Sequence, residues 1–237
     1  TTPVSGEVLP EAVSFDGADD YLSRTSDLTN NTDSKTFTFS AWVYWPDISG
    51  NDYVISLADG GNVFFLVYIT PQGRISVSGL NAAGTAILNL SQATPKFPTN
   101  TFVHILISVD LANTSNRYMY VNDILVSDAN WSTYTNDSID FTVPNHRIFR
   151  NNSTRFAQGR AAHYFLDYTY RDLSIEANRR LFIDAEGKPA SSQDSVDKYL
   201  DSKFSAYPTS FGSSGAAMNT LLFNGDGTKV YYGSSDY

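Results

Sequence analysis

The run Phe37-Thr38-Phe39-Ser40-Ala41-Trp42-Val43-Tyr44 constrains the fold more than any other stretch of this chain. Side chains of an extended strand alternate between two faces. Phe37, Phe39, Ala41 and Val43 therefore share one face, and Thr38, Ser40, Trp42 and Tyr44 share the other. Such period-two alternation, stopped by Pro46, is a strand signal with one face for a core. Upstream, Ala12 to Leu22 reads as a short apolar strand followed by an acidic, glycine-containing turn. Downstream, Arg117 to Val126 reads as a hairpin around an Asn122-Asp123 turn.

Further strands are expected at 53–58, 63–70, 74–79, 86–91, 101–110 and 161–170. The Asp59-Gly60-Gly61-Asn62 turn joins the first two of these. Phe141 to Phe149 holds one more strand, interrupted by Pro144, and 127–140 reads as a Trp-, Tyr- and Asn-rich loop. Short strands at regular intervals, separated by turn residues, predict an all-β protein. The architecture expected is a two-sheet antiparallel jelly-roll sandwich. After the last strand the pattern changes. Asp172 to Asp184 reads as a short C-terminal helix near 174–184, with Ser174 as N-cap and Gly187 and Pro189 ending it. The domain boundaries that follow are an N-terminal arm at 1–11, the sandwich with its helix at 12–189, and an extended C-terminal tail at 190–237. The tail suggests one short helix in 191–204 and a β-hairpin around Gly225-Asp226-Gly227.

Composition narrows the function. With 237 residues, 41% of them apolar, the chain can bury a sizeable core. A net charge of −9 argues against nucleic acid, whose binders need a basic patch. Asp outnumbers Glu by 21 to 4, which suits turns and oxygen-ligand loops better than helices. There are no cysteines to stabilise the fold or act as nucleophiles. No apolar run reaches membrane-spanning length and nothing is both amphipathic and basic, so no membrane insertion is expected.

Catalysis finds little support. A glycosidase needs two carboxylates flanking the sugar bond, and no Glu-x-Asp strand occurs. His104, His146 and His163 have no Gly-x-Ser-x-Gly elbow to serve. Binding is better supplied. Trp45, Asn51, Asp52 and Tyr53 form one aromatic and polar group placed in a loop; Trp131, Tyr134, Asn136 and Asp137 form another. Either suits a sugar or a protein interface, both of which use aromatic rings beside polar groups. Asp16, Asp19 and Asp20 converge on one turn and offer hard oxygen ligands for calcium, or simply cap that turn. The seven Asn-x-Ser/Thr sites at Asn30, Asn89, Asn113, Asn130, Asn136, Asn151 and Asn152 follow from the abundance of these residues.

Two segments carry a family resemblance. Phe15-Asp16-Gly17-Ala18-Asp19-Asp20-Tyr21, then Phe37 to Val43, then Tyr120-Val121-Asn122-Asp123, resemble in that order the laminin G-like, concanavalin A-like jelly rolls. Asp172 to Pro189, "DLSIEANRRLFIDAEGKP", is similar to the end of laminin G-like domains in bacteriophage virion proteins. The resemblance implies a non-enzymatic virion structural protein, displayed on the particle as a capsid decoration protein, head fibre or tail adhesin. It implies other virion proteins as partners, a homo-oligomer, manufacture in the host cytoplasm, and a rim calcium ion in the manner of the family. The alternative is a carbohydrate-binding lectin, calcium-dependent or not, recognising a host-surface glycan.

Overall fold

The structure, a computed structural model, describes residues 12–27, 31–48, 50–94, 97–151 and 155–190, with the backbone of two further strands at 221–223 and 229–232. In chain order the first strands are β1 (Val13–Asp16), β2 (Leu22–Arg24), β3 (Thr36–Tyr44), β4 (Asp52–Asp59) and β5 (Asn62–Ile69). Next come β6 (Ile75–Leu80), β7 (Ala86–Gln92), β8 (Phe102–Asp110), β9 (Arg117–Val121) and β10 (Ile124–Leu125). Then follow β11 (Ala129–Tyr134), β12 (Asn145–Ile148), β13 (Gln158–Asp167), the helix α1 (Glu176–Arg179), β14 (Leu221–Phe223) and β15 (Lys229–Tyr232).

These strands form two antiparallel sheets, as expected of a jelly-roll sandwich. The first runs β10-β9-β8-β3-β13-β15-β14, with β1 also on β13. β1 pairs with residues 158–161 of β13 and β15 with residues 164–167, so the two share one edge of that strand end to end. The second sheet runs β11-β7-β6-β5-β4-β12-β2.

The core lies between the sheets. Phe37, Phe39, Ala41 and Val43 all point into it and are fully buried, as the alternation requires. In register beside them, β8 contributes Val109, Ile107, Ile105 and Val103. The second sheet answers with Ile55, Leu57, Phe65, Val67, Val77 and Leu90. Phe37 meets Phe65 edge-on across the gap at 5.1 Å. Packing is close within the first sheet too: a Cβ on Gly159 would lie 2.3 Å from the Tyr44 carbonyl oxygen, so only glycine fits.

The opposite face of the first sheet is also covered. Thr38, Ser40, Trp42 and His104 point outward from the core, yet all are buried. The segment 168–190 is the cover. Phe182 packs with Phe165, Leu106, Tyr120 and Leu173, and Ile183 packs with Trp42 and Ala162. Polar groups beneath it are paired: Thr38 and Ser108 hydroxyls meet at 3.1 Å, and Ser40 Oγ meets His104 Nε2 at 2.8 Å.

The strap holds the expected short helix, but over fewer residues than the 174–184 expected. Only Glu176–Arg179 is α-helical, its N-cap is Ile175, and no side chain caps it. The Ser174 hydroxyl donates instead to Asp172 Oδ1 at 2.6 Å. A turn held by Asp172 competes with the helix start and wins. The loop expected at 127–140 also differs, because Ala129–Tyr134 forms edge strand β11 paired to β7. The arm 1–11, the short helix in 191–204 and the Gly225-Asp226-Gly227 turn lie outside the described residues.

Candidate ligand-binding face

The outer face of the second sheet follows from its register. Core residues on β4 to β7 alternate with residues that must point away from the core. Across the sheet, Ser23, Arg147, Ser56, Leu66, Ser78, Asn89 and Thr133 stand in one row. A second row holds Tyr53, Tyr68, Ser76, Ser91 and Asn130. Leu66, Tyr53, Tyr68, Ser78, Asn89, Ser91, Thr133 and Arg147 are each half-buried, which leaves part of every side chain open to solvent.

Local contacts set these groups. Tyr53 and Tyr68 stack with ring centroids 6.1 Å apart. The Asn89 amide donates to Thr133 Oγ1 at 3.2 Å. Ser56 is fully covered, and its hydroxyl donates to the Arg150 carbonyl at 2.8 Å. That bond fixes the chain leaving β12 against β4. The Arg150 guanidinium then lies over Tyr21 at 4.2 Å and Phe156 at 5.0 Å. Burial lowers the affinity of Arg147 for its proton, and the neighbouring Arg150 charge lowers it further. The strip thus carries aromatic rings, hydroxyls, an amide and two guanidinium groups.

The residues named from sequence divide. Trp45 is not a surface platform. It is fully buried, stacks on Phe149 at 4.9 Å and meets Phe97 edge-on at 5.4 Å. Asn51 and Asp52 are half-buried at the start of β4, and Tyr53 stands on the strand rather than in a loop. Burial pushes the Asp52 carboxyl up to about 6, with the Asp47 charge adding to the rise and Arg155 opposing it. Asp52 Oδ2 is buried without a hydrogen-bond partner.

Trp131 and Tyr134 lie on β11, separated from β4 by β7, β6 and β5, so the two groups are not one site. Trp131 meets Tyr134 edge-on at 5.8 Å, and Arg117 sits over both rings at 5.5 and 5.2 Å. The Tyr134 hydroxyl donates to the Asp110 carbonyl at 2.7 Å. Asn136 Oδ1 accepts from Lys35 at 2.9 Å, and Asp137 Oδ2 accepts from the Asn81 amide at 2.8 Å. The Asn81 bond, followed by that from the Ser138 N–H, holds the Asp137 carboxyl below its usual range. This group closes the sandwich edge.

The acidic turn is compact. One carboxylate oxygen from each of Asp16, Asp19 and Asp20 lies within 4.8 Å of the others. Asp16 Oδ1 accepts from the Ala18 N–H at 2.7 Å and the Asp19 N–H at 3.3 Å; the Ala18 bond is the main force lowering its pKa. Hard carboxylate oxygens suit calcium, but six to eight such ligands are needed, and these three supply only part of that set.

A base-activated serine is accessible nowhere among the described residues that pair Ser with His. The Ser40–His104 contact is buried under the strap, and burial drives the His104 pKa down to about 3.

Sequence reasoning missed Tyr68, Arg147, Ser78, Asn89, Ser91 and Thr133. Their signal was present as alternation. In Ile75-Ser76-Val77-Ser78 and Leu88-Asn89-Leu90-Ser91 the apolar residues mark the core and the polar ones mark a sheet face.

A two-sheet antiparallel sandwich with a polar and aromatic face is the frame of a jelly-roll binding module. Residues 16–167 match the family described as the concanavalin A-like lectin/glucanases superfamily, and the chain belongs to it. A search of curated protein sequences finds no match. Among solved structures, the chain is similar to a native heptameric SAP-like pentraxin from Limulus polyphemus. That match has a TM-score of 0.56 at 11% identity and covers 87% of this chain and 93% of the pentraxin. It is also similar to a putative carbohydrate binding protein from Bacteroides ovatus, with a TM-score of 0.55 at 14% identity. There the match covers 98% of this chain but 63% of the other, so the chain spans less than two thirds of that protein. Similarities at these identities speak to the fold.

Proposed function

We propose that this chain is a non-catalytic adhesion module that binds glycan on the outer face of its seven-stranded sheet. The stacked Tyr53–Tyr68 pair beside a row of hydroxyl and amide groups carries this reading. Sugars present apolar ring faces and many hydroxyls, so they pair with aromatic platforms flanked by donors and acceptors. The full chain on a glycan array, with and without EDTA, tests it. Binding that falls at least tenfold in Tyr68→Ala supports the face; no binding in either condition overturns it. Loss of binding with EDTA supports calcium at Asp16, Asp19 and Asp20, and binding indifferent to EDTA removes the ion.

We place the module on the surface of a bacteriophage particle, as a capsid decoration protein, head fibre or tail adhesin made in the host cytoplasm. The support is the resemblance of Asp172–Pro189 to virion laminin G-like domains. Other virion proteins are then its partners, and several copies acting together raise a weak sugar contact to useful avidity. Gold-labelled antibody against this chain should decorate purified particles; unlabelled particles would remove the placement.

A further inference from the structure

Several arginines of this chain are held by the fold. Arg171, Arg179 and Arg180 each pair with a carboxylate, and Arg117 and Arg160 each lie over a ring. Arg74 does neither. Its guanidinium makes no hydrogen bond, ion pair or ring contact among the described residues, and its Nε is buried without a partner. The residue as a whole is only half-buried. A covered inner nitrogen means that the side chain lies against the protein rather than trailing in water, so it has less freedom to lose on binding. A partly desolvated charge without an internal partner carries a cost that an anion from outside would offset.

The fold fixes where that charge stands. Thr70 and Arg74 bracket the turn Pro71-Gln72-Gly73 between β5 and β6. The Thr70 N–H donates to the Arg74 carbonyl at 2.9 Å, the Arg74 N–H donates to Thr70 Oγ1 at 3.3 Å, and the Gly73 N–H donates to the Thr70 carbonyl at 2.8 Å. Ile75 is fully buried in the core, and Ser76 stands opposite Tyr68 on the outer face. Alternation carries back one residue from Ile75, which puts Arg74 on the same face as Ser76. Arg74 is then the diagonal neighbour of Tyr68, with their Cβ atoms roughly 7–8 Å apart. Tyr53 stacks on Tyr68 from the other flank, on β4. The rest of the row, Ser76, Ser91 and Asn130, carries no charge.

The wider field limits the anion. Asp47 and Asp52 lie with Arg155 around the start of β4, and the whole chain carries a net charge of −9. Such a chain repels a densely charged polymer at long range, while one unpaired guanidinium attracts one negative group at contact.

We infer that Arg74 is a specificity-determining residue of the ligand face: it selects glycans whose sugar on Tyr68 carries one anionic substituent, a carboxylate or a sulfate ester. The inference rests on the glycan-binding reading of this face. The Tyr68 ring takes the apolar side of the sugar, and the fork of guanidinium N–H donors takes the oxyanion.

The test uses the full chain and four probes built on one oligosaccharide: the neutral parent, a form with one carboxylate, the methyl ester of that form, and a form with one sulfate ester. At least one charged form should bind about tenfold tighter than the parent and the ester. A preference for the carboxylate alone, or for the sulfate alone, supports the inference and names the substituent. Arg74→Gln should erase the preference and leave binding of the parent unchanged, and Arg74→Lys should restore only part of it, because an ammonium has charge without the fork. Tyr68→Ala should weaken all four probes alike. Thermal melting of each variant separates lost binding from lost folding. Equal affinity for all four probes overturns the inference and leaves the glycan face standing, as does a preference that survives in Arg74→Gln. Equal loss of parent and charged forms in Arg74→Gln also overturns it, since Arg74 would then support the turn rather than read the ligand. Binding of no probe overturns the inference and the glycan face together.

Discussion

Two titratable residues act on stability in opposite directions over the same pH range. His104 is fully buried, and its pKa falls from 6.5 to about 3, chiefly through burial, with the His163 charge adding and Asp123 opposing. Its folded form holds the proton less tightly than the unfolded chain does. That stability is complete above pH 6.5 and drains as pH falls toward 3, approaching about 1.4 kcal/mol per pH unit. Asp52 has the reverse sign. Its pKa rises from 3.8 to about 6, so the folded state favours the proton and stability falls as pH climbs through that interval. The Asp52 contribution is the smaller, because its carboxyl is partly exposed and screened. Between pH 6 and 4 the two oppose one another. Asp52→Asn should therefore lose stability more steeply on acidification than the parent chain, read by urea midpoints at several pH values. Parallel curves would remove Asp52 from the account. Phe39 supplies a simpler test: it is fully buried and meets Tyr164 edge-on at 6.1 Å. Phe39→Ala should cost about 3–5 kcal/mol in denaturant unfolding, and less than about 1 kcal/mol would mean that the faces of β3 are reversed.

The strap shows what an element can hide from a sequence reader. Its motif residues are fasteners. Arg179 Nε donates to Asp123 Oδ1 at 2.5 Å, Arg180 donates to Asp123 Oδ2 at 2.8 Å, and Arg179 also donates to the Leu173 carbonyl at 2.8 Å. Burial raises the Asp123 carboxyl, but these two arginines outweigh it and hold its pKa below the usual range. Asn122 and Asp123 both have positive φ, 49° and 62°, so the tight turn joining β9 to β10 presents that carboxylate to the strap. Arg179 and Asp123 side chains are 14% and 21% exposed. Arg179→Ala should thus cost about 1–3 kcal/mol, between a surface pair and a buried one. Arg179→Lys should recover less than half of that loss, since one ammonium cannot reach both partners in a fork; full recovery would reduce the contact to plain charge. The spacing of Arg179, Arg180, Phe182 and Ile183 is legible as a motif, but its meaning depends on a turn far away in sequence. Strand β3 was legible in full because each residue reports its own face. β11 was not, since an edge strand such as Ala129–Tyr134 needs only partial burial and its polar residues look like a loop. The ligand face was hidden for a related reason: serines on separate strands form a surface only once register aligns them. Trp45 misled because an aromatic beside Pro46 resembles a loop platform, while the chain turns it inward.

At the scale of the whole molecule the open question is how the first sheet ends. One edge is β10, two residues long, with Ile124 71% and Leu125 49% exposed. So short an edge offers few unpaired N–H and C=O groups to a neighbour. On the other side the sheet runs past the long strand β13 to β1 and to β15 and β14. β1 covers residues 158–161 on the side away from β3, and among the described residues only β15, which the chain supplies from beyond residue 190, covers 164–167 on that side. The family match stops at residue 167, so this covering strand lies outside the matched domain. A chain ending at Ala190 keeps the core, the strap and the ligand face, yet leaves the backbone groups of Tyr164 to Asp167 open along that edge. Edges of this kind pair with other chains. The shortened chain should therefore fold, keep the proposed glycan binding, and associate more strongly than the full chain as concentration rises. Light scattering coupled to size-exclusion chromatography reads the difference. Equal masses for the two chains across the same concentrations would mean that β15 does not guard the edge, and that the tail serves assembly in some other way.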